Sequence, residues 1–345
     1  MVMIGIDPHK RTHTAVAVDA SADIVASRLV HARRGQTREL LSWADGLATR
    51  RTWAIESAGG LGYLLAQQLV AAGEEVIDIP AVLSARVRVL SSGTSNKNDP
   101  NDAYAVALAA LYGKDTMRVR AEDHATVLRV LSRRHTQLAW SYNKTACRLH
   151  ALMCELIPGG IRKEVVVKQA SQLLEQVEIN SPVTAARVEV AREMIDDLTQ
   201  FAAQRKASER RIRDAVAASG TTLTEIFGIG DVLAATLIGH TRDIARFPSD
   251  DKFAAYNGTA PVERSSGDGE KIWRLSRRGN RAMNHAIHIA AVTQIRHAHS
   301  PGRAFYDRKR AEGKSPRRAL RALKRRISDT VYRTLVADAA RAAKR

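Results

Sequence analysis

Cysteine is nearly absent from this chain. Its two cysteines, Cys147 and Cys154, sit seven apart in a helical pattern with no cysteine or histidine cluster beside them. That spacing suits two small half-apolar side chains rather than a zinc site, and a reducing, cytoplasmic setting is expected. Long apolar runs are missing as well. None approaches the roughly 18 residues a membrane span needs, so no membrane segment is expected. No basic stretch leads into an apolar run at the start, so no secretory signal is expected either.

Acidic residues are scarce at one end. From Pro261 to Arg345 there are 22 basic and 7 acidic residues, a net of +15 out of +18 for the whole chain. The first three quarters are close to balanced. Such asymmetry points to a polyanionic partner, most simply nucleic acid, with a merely solubilising face as the alternative. Between Arg303 and Arg345 the only aromatics are Phe305, Tyr306 and Tyr332, which suits phosphate contact better than base stacking. Arg317, Arg318, Lys324 and Arg325 are candidate phosphate ligands there.

What is present divides the 345 residues into three segments, 1–114, 115–220 and 221–345. The first reads as α/β. MVMIGID and THTAVAVD are Val- and Ile-rich runs of strand length, IVASRLVHA is a third, and TWAIE and Glu75–Ile79 follow with helical stretches between them. Three meander strands ahead of βα units match the order of ribonuclease-H-like folds. From Asp115 to Ala218 strand signals vanish. Leu128–Leu156 and Val183–Ala218 carry apolar residues at helical spacing, separated by Pro158-Gly159-Gly160. Two antiparallel long helices, a coiled-coil-like arm for spacing or oligomerisation, are expected. The last segment is mainly helical. Gly228-Ile229-Gly230 between two apolar runs reads as a helix-hairpin-helix, whose backbone N–H groups can hold a phosphate, or as an ordinary turn between helices.

Four carboxylates stand where chemistry could use them. Asp7 ends the first strand and Glu56 ends TWAIE. Asp99 and Asp102, three apart at the start of DAYAVALAALY, share a helix face. Gathered together they would form a site for two Mg²⁺ ions suited to phosphoryl transfer. Dispersed, they are solvated acids, and Asp99 and Asp102 could serve as helix-capping residues. Ser265-Ser266-Gly267 reads as a surface turn or as the loop of a phosphoryl-accepting serine. Arg274, Arg277, Arg278 and Arg281 follow to balance phosphate charge.

GIDPHK, the IES of AIESAGG, KNDPNDA, FGIG, YNGTAPVERSSG and RLSRRGNRAMNHAIH occur in this order. Together they resemble the insertion-sequence one-ten family of transposases, related to the Piv site-specific invertases. The resemblance covers nearly the whole chain, least specifically in the helical middle. It implies a RuvC-like N-terminal domain with a DEDD tetrad on Asp7, Glu56, Asp99 and Asp102, binding Mg²⁺. It also implies a serine nucleophile at Ser266, with Ser265 as the neighbouring candidate. By the same resemblance the protein is a DNA transposase and recombinase that cuts and rejoins element ends and target through a phosphoserine. A structured bridge RNA from the element would guide it, and it would act as a dimer or tetramer. Three rivals remain at this stage: a RuvC-type junction nuclease using water, a non-catalytic nucleic-acid-binding protein, and an actin-like ATPase. The last lacks the second Gly-rich phosphate loop it needs, because SAGG at Ser57–Gly60 follows Glu56 and no Asp-x-Gly.

Overall fold

The computed structural model describes residues 1–92, 99–113, 116–161, 166–264, 272–275 and 279–344. The chain forms two compact units, Met1–Glu122 and Asp123–Arg345, where the sequence suggests three segments.

The first unit is a six-stranded sheet between helical layers. Its strands are β1 (Val2–Pro8), β2 (Thr12–Val18), β3 (Ile24–His31), β4 (Arg51–Glu56), β5 (Val76–Ile79) and β6 (Met117–Arg118), in the order β3-β2-β1-β4-β5-β6. β1, β4 and β5 are parallel, whereas β2, β3 and β6 run antiparallel to their neighbours. The meander followed by parallel βα units is the expected ribonuclease-H-like arrangement. Helices α1 (Gln36–Asp45) and α2 (Tyr63–Ala71) cover one face; α3 (Ala81–Ser92) and α4 (Asp99–Tyr112) lie in the other layer. α3 and β6 were not legible in the sequence.

The pleat decides which side chains meet which layer. Val2, Ile4 and Ile6 of β1, with Trp53 and Ile55 of β4, are buried in the core beneath α1 and α2. Met3 of β1 and Ala54 of β4 are buried in the core beneath α4, with Ala103, Val106 and Ala107. Asp7 and Glu56 follow these in the same alternation and therefore share the α4 face. Gly5 lets that helix approach: a Cβ there would lie 2.1 Å from the Ala103 carbonyl oxygen and 2.8 Å from the Ala107 Cβ.

The second unit begins with α5 (His124–Leu156), α6 (Val167–Leu174) and α7 (Pro182–Ser219). α5 and α7 are antiparallel. Leu128 shares a core with Ile212 and Val216, while Leu149 and Met153 share another with Val188, Ala191 and the short α6. Asp123 and Ser181 cap the two long helices, each accepting from the backbone N–H three residues on, and Gly220 ends α7 in the left-handed region. Beyond lie α8 (Asp231–Thr241), α9 (Asp250–Asn257), the hairpin β7 (Pro261–Arg264) with β8 (Ile272–Leu275), α10 (Arg281–Arg296), α11 (Pro301–Ala311) and α12 (Pro316–Ala342). The apolar faces of α8 to α12 enclose the core that also takes in Leu128, Ile212 and Val216. The proximal end of the arm is thus part of the same folded unit as the C-terminal helices. Among the described residues no helix is long and apolar enough to cross a membrane.

The run ahead of Gly228 departs from the expected hairpin helix. It is a single 3-10 turn, Leu223–Glu225. Thr221 and Thr222 are clasped by the Asp338 carboxylate of α12, which accepts from both hydroxyls and the Thr222 N–H at 2.7–3.1 Å. That long-range clasp ties the segment in a non-α conformation.

Candidate active site and nucleic-acid interface

Asp7 is buried at the carboxyl end of β1, Glu56 ends β4 beside it, and Asp99 and Asp102 lie in the first turn of α4. The other three carboxylates act on Asp7. Burial pushes the Asp7 carboxyl above the ordinary carboxylate range, nearby His9 opposes that, and Glu56, Asp102 and Asp99 each push it further up. Three ligand atoms, from Asp7, His9 and Asp99, lie within 4.8 Å of one another. His9 Nε2 is 3.0 Å from Asp7 and 3.5 Å from Asp99.

The other two acids are held from α3. Ser84 Oγ donates to Glu56 Oε1, and the Arg88 guanidinium pairs with Asp102 Oδ1. Ser84 and Arg88 are four apart, so one face of α3 reaches both carboxylates. Just past Glu56, Ser57 has a φ of +49°, a left-handed conformation unusual outside glycine. Asp78 fixes the turn by accepting from the Ala58 N–H at 2.8 Å. His9, Ser84 and Arg88 were not singled out from sequence. The signal for the last two was their spacing in AVLSARVRVL, a stretch whose Val alternation masks its helical period.

Of the remaining candidates, Ser265, Ser266, Arg277 and Arg278 lie outside the described residues. The backbone of Arg274 pairs with Val262 in the β7–β8 hairpin. Arg281 opens α10 and is exposed; Arg317 and Arg318 lie exposed in the first turn of α12. Lys324 donates to Asn284 Oδ1 at 2.7 Å, and burial, with Arg321 adding, holds its ammonium below the usual lysine range. Arg325 is engaged within the protein, 2.8 Å from Asp251 and 2.6 Å from Asp329.

The two glycines differ. Gly228 has a φ of +84° and packs where a Cβ would meet the Ala290 carbonyl oxygen at 2.9 Å, whereas Gly230 is exposed with open space around it. The start of α8 already carries an acid, Asp231, 3.5 Å from Arg213 Nε. That carboxylate competes with a phosphate for the same helix terminus.

A ribonuclease-H-like sheet bearing acids at two strand ends, in one chain with a basic helical unit, defines a class of nucleic-acid-processing architecture. Sequence comparison gives the particular family. A transposase profile of the IS110 DEDD type matches residues 4–158, and one described as "Transposase IS116/IS110/IS902 family" matches residues 220–307. The chain belongs to the IS110/IS116 family of insertion-sequence transposases, enzymes that cleave and rejoin DNA. It is 28% identical to the insertion element IS900 uncharacterized 42 kDa protein of Mycobacterium paratuberculosis, over 97% of this chain and 95% of that one. The insertion element IS116 uncharacterized 44.8 kDa protein of Streptomyces clavuligerus is 25% identical over 97% and 94%. Among solved structures, RuvC of Thermus thermophilus is similar at 17% identity with a TM-score of 0.28, covering 34% of this chain and 100% of its own.

Proposed function

We propose that this transposase exchanges DNA strands through a serine-linked intermediate, with Asp7, Glu56, Asp99 and Asp102 as its acidic centre. The observation that supports it most is the convergence of four carboxylates from three distant segments, close enough for each of three to raise the Asp7 carboxyl. Mutually repelling acids are costly to gather, so their gathering calls for a cation. The donor set fits a divalent one. Asp7 and Asp99 offer hard carboxylate oxygens beside His9, and Glu56 and Asp102 would complete the set from their anchors on Ser84 and Arg88. Mg²⁺ bound there would supply positive charge for a phosphodiester and its departing oxygen.

Asp7 and Glu56, rooted in strands, fix one side of that centre; Asp99 and Asp102 close it from α4. Ser266 is the attacking group in this reading, Ser265 its neighbour. Its Oγ forms a bond to phosphorus as the bond to the sugar oxygen breaks; the serine gives up its proton and the leaving sugar oxygen gains one. A second strand end reverses the exchange and rejoins the DNA, so the phosphodiester energy is kept. The basic surface after Ala260 would hold element ends, target DNA and a structured guide RNA of the same element, the protein acting as a dimer or tetramer.

The decisive experiment traps the intermediate on a nicked suicide substrate. A covalent protein–DNA adduct is expected, with the phosphate mapping to Ser266. It should vanish in Ser266→Ala, persist in Ser265→Ala, and be lost by at least ~100-fold in Asp7→Asn, since an unassisted serine hydroxyl is a poor nucleophile. Free ends produced equally by Ser266→Ala would establish water as the nucleophile and make this a RuvC-type nuclease.

A further inference from the structure

At the tip of β1, on the face opposite the acids, the first unit has a cleft of about 480 Å³. His9 belongs to both. It touches the Asp7 and Asp99 carboxylates and also lines the cleft. One rim carries Lys10, Arg33 and Arg34, all exposed, and no lining residue is acidic. Arg33 reaches Glu39 at 3.4 Å, while Lys10 and Arg34 make no ion pair among the described residues. The opposite wall is apolar: Leu61 in the turn before α2 and Leu64 in its first turn are 53% and 63% exposed.

The lining also holds a hydrogen-bonded chain of one imidazole and two amides. His13 Nε2 meets Gln36 Oε1 at 3.0 Å, and Gln36 Nε2 donates to Gln68 Oε1 at 2.7 Å. His13 is itself buried, and its Nδ1 has no hydrogen-bond partner among the described residues. Burial lowers the affinity of this ring for a proton, so Nδ1 is a bare acceptor when Nε2 carries the hydrogen. An unmet buried acceptor is expensive and calls for a donor.

We propose that this cleft receives one nucleotide of the DNA strand being cut, the one flanking the phosphate presented to the acids. The inference rests on the strand-exchange reading above. The lining matches a nucleotide part by part. Lys10, Arg33 and Arg34 suit its phosphate. The exposed leucines suit the face of a base turned out of the stack, and the His13–Gln36–Gln68 chain suits the polar edge of that base. The volume falls in the range of pockets that enclose a small molecule. Holding the strand one nucleotide from the reacting phosphate supplies the positioning that phosphoryl transfer depends on.

The test uses the full-length protein with the RNA of its element and a duplex carrying the element end. 4-Thiothymidine, a photoreactive base, is placed in turn at each position flanking the cut. Crosslinking from a single position to peptides spanning residues 33–38 or 61–68 is expected. The double variant Lys10→Ala/Arg34→Ala should lose that crosslink and cut at least tenfold more slowly, while overall DNA affinity falls less than threefold. Both residues are exposed, and an unchanged circular dichroism melt excludes misfolding as the cause. Absence of the crosslink, equal crosslinking from every position, or wild-type cutting by the double variant would each overturn the proposal. Asp7→Asn separates the two readings, because it should keep the crosslink and lose cutting. If Asp7→Asn still cuts, the acidic centre fails, and the crosslink pattern then judges the cleft alone.

Discussion

Asp7 sets the terms at the scale of single residues. Its folded pKa is raised above the model-peptide value of 3.8, chiefly by burial. A carboxyl shifted in that direction favours the fold only below its unfolded pKa, and loses that contribution as pH rises through its folded pKa. At neutral pH the ionised side chain therefore destabilises the protein. Asp7→Asn should raise the thermal midpoint at pH 7 in the presence of a chelator. The gain should shrink as pH falls toward 3.8, and strand exchange should be lost throughout. A variant less stable than the parent at pH 7 under those conditions would refute the role of burial and like charge. Asp7 and Glu56 were legible in the sequence because strand-terminal acids after apolar runs stand out. Their partners were not. His9, Ser84 and Arg88 acquire meaning only once the sheet and α3 bring them within bonding distance.

Between whole elements, the acidic centre depends on how closely α4 lies on β1. Gly5 is the contact point, and a methyl group there would meet backbone atoms of α4 at 2.1 and 2.5 Å. Backbone on both sides leaves nothing flexible to yield, so Gly5→Ala must push the helix outward. A loss of about 1–3 kcal/mol or more is expected, together with weakened Mn²⁺ binding, because Asp99 and Asp102 move away with the helix. Isothermal titration with Mn²⁺ and chemical denaturation read the two effects separately. Full metal affinity in a destabilised Gly5→Ala protein would show that α4 does not set the geometry of the acids. Strands and long helices were readable because their periods are long enough to count. α6 spans only Val167–Leu174 and β6 only two residues, too short for a period to emerge. The hairpin's missing first helix depends on Asp338, more than a hundred residues away in sequence, so no local reading contains it.

For the molecule as a whole, the basic excess after Ala260 is not one uniform surface. Some of its cations are paired within the protein: Arg325 with Asp251 and Asp329, Arg303 with Asp307, and Arg341 with Asp338. Arg317 and Arg318 differ. They are exposed in the first turn of α12, where the helix dipole disfavours cations and where no acidic residue stands. An arrangement that opposes helix stability is retained more readily if an anion compensates it. Each phosphate that a cation neutralises on duplex DNA contributes roughly 0.9 to the slope of log affinity against log salt. Arg317→Gln/Arg318→Gln should therefore lower that slope by about 1–2, nearly independently of DNA sequence. Arg325→Gln should leave the slope almost unchanged and lower the thermal midpoint instead, since it strips two carboxylates of their partner. Fluorescence anisotropy across a salt series distinguishes the two. Equal slopes for both variants would mean that local pairing does not select the phosphate-binding residues, and that nucleic acid responds only to the net charge of the C-terminal region.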